Sequence, residues 1–99
     1  MPRNLRRLPQ AIDDAIDLWV HIALDSPTAA DRVAERIDEA ILRLIDYPEL
    51  GPERADLATG IRLLPVDNIL IFYRLTRADV EIVRILHAAR DIRPDLLSD

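Results

Sequence analysis

The order of two hydrophobic periodicities predicts an α+β domain, β-α-α-β-β-β, with a helical hairpin packed on a small, twisted, mainly antiparallel sheet. Residues 9 to 46 repeat apolar positions at helical spacing, whereas residues 61 to 87 form short β-branched and aromatic runs separated by turn residues. Between the two halves lie Pro48, Gly51, Pro52 and Gly60, the composition of an ordered surface loop. Helices followed by consecutive strands are expected to pack as one helical layer on one sheet layer.

Leu5 to Leu8 is a weak strand candidate, cut off by Pro9. Pro9 suits the first turn of a helix. From there Ile12, Ile16, Trp19 and Ala23 fall on one stripe, with Asp13, Asp14 and Asp17 off it. The stripe is expected to face the core, the aspartates to be solvated near the positive end of the helix dipole, and the helix to end near Asp25. Ser26-Pro27 reads as an N-cap followed by proline at the first helical position. The second helix carries Val33, Ile37, Ile41 and Leu44 inward and stops at Pro48. Ile61 to Val66, Ile69 to Leu75 and Val80 to His87 are the later strands, joined through Asp67-Asn68 and through Thr76 to Asp79. Connections this short demand antiparallel pairing.

Ninety-nine residues make one domain, residues 1–99, with 49% apolar residues to fill its core. No apolar run approaches the roughly 20 residues that span a bilayer. No apolar segment of a signal peptide follows the N-terminal arginines, so a cytoplasmic protein is expected. Without cysteine there are no disulfides, thiolate metal sites or thiol nucleophiles. The net charge is −5, and all 13 basic residues are arginine. That balance disfavours binding of nucleic acid by the chain alone, since phosphate neutralisation supplies most such affinity.

His21 with Asp17 and Asp25 has helical i,i+4 spacing, but three such residues lacking a second His or a Cys are a poor zinc signal. Adjacent acids such as Asp13 and Asp14 do not converge into an acid/base pair. No catalytic residue, cofactor or metal site is expected. Trp19 is read as core, or alternatively as a partly exposed anchor for a partner, because interface hot spots favour Trp, Tyr and Arg. Tyr73 and Arg74 are neighbours on a strand, so they face opposite sides of the sheet. Arg62, Arg74, Arg84 and Arg90 are candidates to line the side away from the helices.

Several segments resemble one family in order along the chain. Residues 12–23, with Asp13, Leu18, Trp19, Ile22 and Ala23, are similar to the first helix of ParE toxins, a branch of the RelE/ParE superfamily. Asp25 to Ala30 resembles their interhelical turn, Tyr47-Pro48-Glu49-Leu50-Gly51 their stop, and Gly60-Ile61-Arg62 the opening of their second strand. Ile71-Phe72-Tyr73-Arg74 and the segment from Val83 to Asp91 resemble the family strings (I/V)FYR and RVLHxxRD. The resemblance runs from about residue 9 to residue 91.

That resemblance implies the toxin of a type II toxin–antitoxin system, inhibiting DNA gyrase by binding and not as an enzyme. It implies neutralisation by a ParD-like antitoxin whose acidic or amphipathic segment covers an apolar groove beside the hairpin. Trp19, Ile22, Arg62, Tyr73, Arg74 and Arg84 are the candidate antitoxin contacts, and His87, Arg90 and Arg93 the candidate target contacts. The alternatives are a ribosome-dependent mRNA endonuclease of the RelE type and a ParE-like binding protein that has lost toxicity. Where the endonuclease pattern has a basic residue, this chain has Leu70 and, near the end of the last strand, Ala89; no tyrosine follows Tyr73.

Overall fold

A computed structural model describes residues 3–97. The elements are β1 (Asn4–Arg7), α1 (Pro9–Ala23), α2 (Pro27–Asp46), β2 (Ile61–Val66), β3 (Ile69–Leu75), β4 (Asp79–His87) and a short 3-10 helix (Pro94–Leu97). The predicted order therefore holds. The sheet runs β1-β4-β3-β2. β2, β3 and β4 form an antiparallel meander, while β1 lies parallel to β4, with Arg6 opposite Glu81. The helical hairpin between β1 and β2 supplies a connection long enough for that parallel placement.

Pro9 occupies the first turn of α1, and Asp13 and Asp14 come after that turn, so they do not sit at the dipole end as expected. The helix closes at Ala23, two residues early. Ser26 caps α2: its Oγ accepts the Ala29 N–H at 3.2 Å. Such a cap contributes about 1 kcal/mol. α2 buries Ile37, Ala40, Ile41 and Leu44 against Ile71, Tyr73, Ile82 and Ile85 of the sheet. Each apolar side chain of that size adds roughly 1.5–3 kcal/mol on burial. The β2–β3 hairpin turns at Asp67, whose φ of 56° is left-handed, a conformation aspartate tolerates better than most residues.

Two features depart from the expectation. First, α1 is rotated. Ala11 is its buried residue, with Ala15 and Leu18 packed beside it. Ile12 and Ile16, placed in the core by the stripe, are 45% and 55% exposed, and Trp19 is 39% exposed. The reason lies in the sequence itself. α1 is apolar around most of its circumference, and two stripes offset by one residue both satisfy helical spacing. The small side chains of Ala11 and Ala15 let the helix approach α2 and the sheet closely, a geometry that bulkier Ile12 and Ile16 would prevent.

Second, the sheet face away from the helices is not open throughout. Ile61, Phe72, Val83, Leu86 and Leu97 form a second cluster there, roofed by Leu57, Ala58, Ile92 and Leu96. The tail thus tucks its two leucines onto the domain; Ser98 and Asp99 lie outside the described residues. β4 carries a bulge, since Phe72 pairs with Arg84 and Tyr73 with Ile82, leaving Val83 as the extra residue. One added residue shifts the alternation. Val80 and Ile82 before it and Ile85 after it consequently all face the helices. Among the described residues no helix is long and apolar enough to cross a membrane.

Candidate functional site

The rotation of α1 leaves Ile12, Ile16, Val20 and Leu24, spaced by four, as an outward ridge with the Trp19 ring alongside. Contiguous exposed apolar surface of this kind marks an interaction site more often than isolated exposed leucines do. Trp19 is held upright by its neighbour helix: the indole Nε1–H donates to Asp31 Oδ1 at 2.9 Å. Asp13 and Asp17 are exposed on α1, and Asp31 and Asp38 are exposed on α2. The ridge is therefore apolar along its crest and acidic along its borders. Ile22, expected with Trp19 as an antitoxin contact, is half-buried.

Most of the sheet residues expected to meet a partner are instead engaged within the fold. Tyr73 is fully buried. Its hydroxyl donates to the Pro48 carbonyl at 2.8 Å and accepts the Gly51 N–H at 2.8 Å, tying the loop after α2 to the sheet. Burial pushes its phenol above the usual range, so it stays protonated at neutral pH. A Cβ at Gly51 would lie 2.7 Å from the Leu63 carbonyl oxygen and 2.8 Å from the Tyr73 ring, which is why only glycine fits there. Arg62 pairs with Tyr73 across the strands and shares its face, not that of Arg74; its Nη1 donates to the Gly51 carbonyl at 2.8 Å. Both residues thus strut the loop after α2.

Arg84 is likewise structural. Its Nε and Nη2 donate to the two Asp14 oxygens at 2.7 and 2.9 Å, and its Nη1 donates to the Leu96 carbonyl at 3.1 Å. Asp14 Oδ2 also accepts the Ile85 N–H at 3.0 Å. The side chains of Arg84 and Asp14 are only 12% and 10% exposed. The hydrogen-bonded carboxylate holds the guanidinium in its charged form, raising its pKa further. Asp14, expected to be solvated, is therefore the inward anchor of α1, occupying the edge of β4 where β1 has ended. Arg74 does face the side away from the helices, with its Nε donating to Glu81 at 2.7 Å.

Of the candidate target contacts, His87 and Arg90 share one cavity where β4 ends, and Arg93 lies farther along the tail. His87, Arg90 and Arg93 are all exposed. His87 Nδ1 accepts the Ala89 N–H at 3.0 Å, and its Nε2 lies 3.0 Å from the Asn68 amide. A cavity of about 320 Å³ opens beside this turn, lined by Asp17, His21, His87 and Arg90 among others. Arg93 lies 3.6 Å from Asp95, a loose surface pair.

The family model for the ParE toxin of the type II toxin-antitoxin system, parDE, matches residues 5–92. The chain belongs to the ParE toxin family. "Toxin RelE2" of Caulobacter vibrioides is 40% identical to this ParE-family chain over 81 residues, 82% of the chain and 90% of the relative. "Toxin ParE3" of the same organism is 38% identical over 61 residues, 62% of this chain; the match spans 61% of that relative. "Putative toxin Y4kP" of Sinorhizobium fredii is 36% identical over 86 residues, covering 87% and 81% of the two chains. A solved structure, "Chromosomal ParDE TA system from P. aeruginosa", superposes with a TM-score of 0.75 at 22% identity, covering 86% of this ParE-family chain and 95% of that one. It shares the fold.

Sequence reasoning missed Asp14 and Arg6. The signal for Asp14 was available: an acid amid apolar residues, four positions from Leu18 and three from Ala11, belongs to the inner stripe once alanines are allowed to define it. Arg6, whose Nη1 donates to the buried Glu81 at 3.0 Å, sits on a strand too short for its pattern to assign a face.

Proposed function

We propose that this ParE-family toxin acts in the cytoplasm by binding DNA gyrase without chemistry of its own, and that a ParD-like antitoxin neutralises it at the α1 ridge. The observation that carries this reading is the contrast between the two kinds of surface. The sheet's Arg62, Tyr73 and Arg84 are committed to internal hydrogen bonds, whereas Ile12, Ile16 and Val20 face solvent. Phosphate cleavage needs cationic groups poised to meet developing charge. A surface that prefers one state of its target needs only differential affinity. The antitoxin segment suited to the ridge is an amphipathic helix with an apolar row at i, i+4 spacing and basic borders, matching Asp13, Asp17 and Asp31. His87, Arg90 and Arg93 are the target-facing group.

Antitoxin-free protein added to gyrase and relaxed plasmid should inhibit supercoiling and accumulate linear DNA, both reversed by the cognate antitoxin. The same protein on programmed ribosomes should leave mRNA intact. Cleavage at defined mRNA sites, abolished by Arg62→Ala or Arg90→Ala, would replace this reading with the endonuclease one. Normal growth on expression of folded protein without antitoxin would reject toxicity.

A further inference from the structure

The segment that ends α2 is held more firmly than a connection requires. Pro48 fixes φ at the second position of a turn that the Leu50 N–H closes on the Tyr47 carbonyl at 3.1 Å. From beneath, the buried Tyr73 hydroxyl holds the Pro48 carbonyl and the Gly51 N–H, each at 2.8 Å, and Arg62 holds the Gly51 carbonyl. The Leu63 N–H fastens the Pro52 carbonyl at 3.1 Å. That anchorage presents two large apolar side chains to solvent: Tyr47 is 65% exposed and Leu50 46%. With Pro48 and Glu49 they line an open notch of about 340 Å³. Asp46, Glu49 and Glu53 are exposed acids of the same segment, against Arg43 one turn back on α2. Arg54 is taken up by Asp56.

We propose that this turn is a further contact with the toxin's target, entering an apolar recess rimmed by basic side chains on that enzyme; the inference rests on the gyrase reading above. Preorganisation points to a contact, because side chains already fixed in place lose little freedom on binding, and tyrosine is favoured at hot spots. Charge selects the chemistry of the partner. An enzyme that handles DNA carries cationic surface along its phosphate track. The acids of the turn complement such a surface and are repelled by DNA itself. Position selects the target over the antitoxin. α1 packs chiefly on α2 and β4, whereas the turn is fastened to β2 and β3 through Arg62 and Tyr73. Ile69, opposite His87, and Tyr73, beneath the turn, are four residues apart on β3, a distance of about 14 Å. One interface of about 800 Å² per partner takes in both the turn and the His87 group.

The test titrates antitoxin-free toxin into gyrase supercoiling of relaxed plasmid, for wild type, Tyr47→Ala, Tyr47→Phe and Glu49→Lys. Melting curves and the affinity of full-length cognate antitoxin are measured on each protein. Tyr47→Ala should raise the concentration for half-inhibition about tenfold, with Tyr47→Phe recovering part of the loss. Glu49→Lys, a surface change, should raise it several-fold and flatten its dependence on salt. Melting curves and antitoxin affinity should stay where they are in wild type. Half-inhibition by folded Tyr47→Ala and Glu49→Lys at the wild-type concentration would overturn the assignment of the turn and leave the gyrase reading standing. A matching loss of antitoxin affinity in Tyr47→Ala would hand the turn to the antitoxin and overturn the assignment as well. Wild-type toxin without effect on supercoiling would overturn both readings.

Discussion

Asp14→Ala should lower the stability of this domain by about 3 kcal/mol, the scale for removing one partner of a buried ion pair. The substitution leaves the Arg84 guanidinium its bond to the Leu96 carbonyl but no carboxylate, and it takes the acceptor from the Ile85 N–H. Domains of this size carry 5–15 kcal/mol in total. The melting temperature should therefore fall by roughly 12–24 °C. Asp14→Asn, which keeps an acceptor, should cost less. Adding Arg84→Met to Asp14→Ala should return part of the loss, since apolar replacement of a buried pair is often close to neutral. Thermal denaturation of the four proteins decides the matter. A melting temperature for Asp14→Ala within about 3 °C of wild type, below the shift for 1 kcal/mol, would mean that α1 is not anchored through this carboxylate.

Ile16→Arg should do the reverse, sparing the fold and removing the partner. Ile16 is more than half exposed on the crest of the ridge, and surface substitutions of that kind stay within about 0.5 kcal/mol. A charged residue in the middle of an apolar contact excludes a partner by desolvation and by shape. Antitoxin affinity should drop about 100-fold, equivalent to roughly 3 kcal/mol. The toxin would then be folded and active but poorly neutralised. Its reading depends on both measurements together. Large destabilisation by Ile16→Arg would put Ile16 in the core, and unchanged affinity with an unchanged melting curve would move the antitoxin elsewhere.

The elements of this fold were legible because each carries its own punctuation. Ser26 caps α2, Pro48 ends it, Asp67-Asn68 turns β2 into β3, and the alternation of the strands does the rest. The strand boundaries at Ile61, Val66, Ile69, Leu75 and His87 are those that the pattern predicts. What the pattern could not settle was rotation about the α1 axis. Ten of its residues and flanks between Ala11 and Leu24 are apolar, so periodicity alone does not choose between the Ile12–Ile16 row and the Ala11–Ala15–Leu18 row. Tertiary contact chooses, through the fit of alanine against α2 and through Asp14 finding Arg84 some 70 residues away. That distant pairing leaves no local trace.

The same limit explains the candidate site. Tyr73 and Arg74 were correctly placed on opposite faces by strand alternation, but the partner of each depends on a loop and a neighbouring strand. Arg62 shares the face of Tyr73, not that of Arg74, because the Asp67-Asn68 turn fixes the register that sets Arg62 opposite Tyr73. The bulge at Val83 is similarly invisible locally, yet it decides where Arg84 points. Family membership, by contrast, was readable from short strings because those strings are the parts that build the sheet and its turns.

Trp19 offers the most direct measurement of the central claim, that the outward face of α1 is the antitoxin's seat. It is the chain's single tryptophan, it is partly exposed beside the ridge, and its emission reports its own surroundings when the antitoxin used contains no tryptophan. Saturating antitoxin should shift the Trp19 emission to shorter wavelength and shield it from acrylamide quenching. Ile16→Arg toxin should show the shift only at far higher antitoxin concentration. An emission spectrum and a quenching constant that do not change while toxicity is fully neutralised would contradict the account and place the antitoxin away from α1.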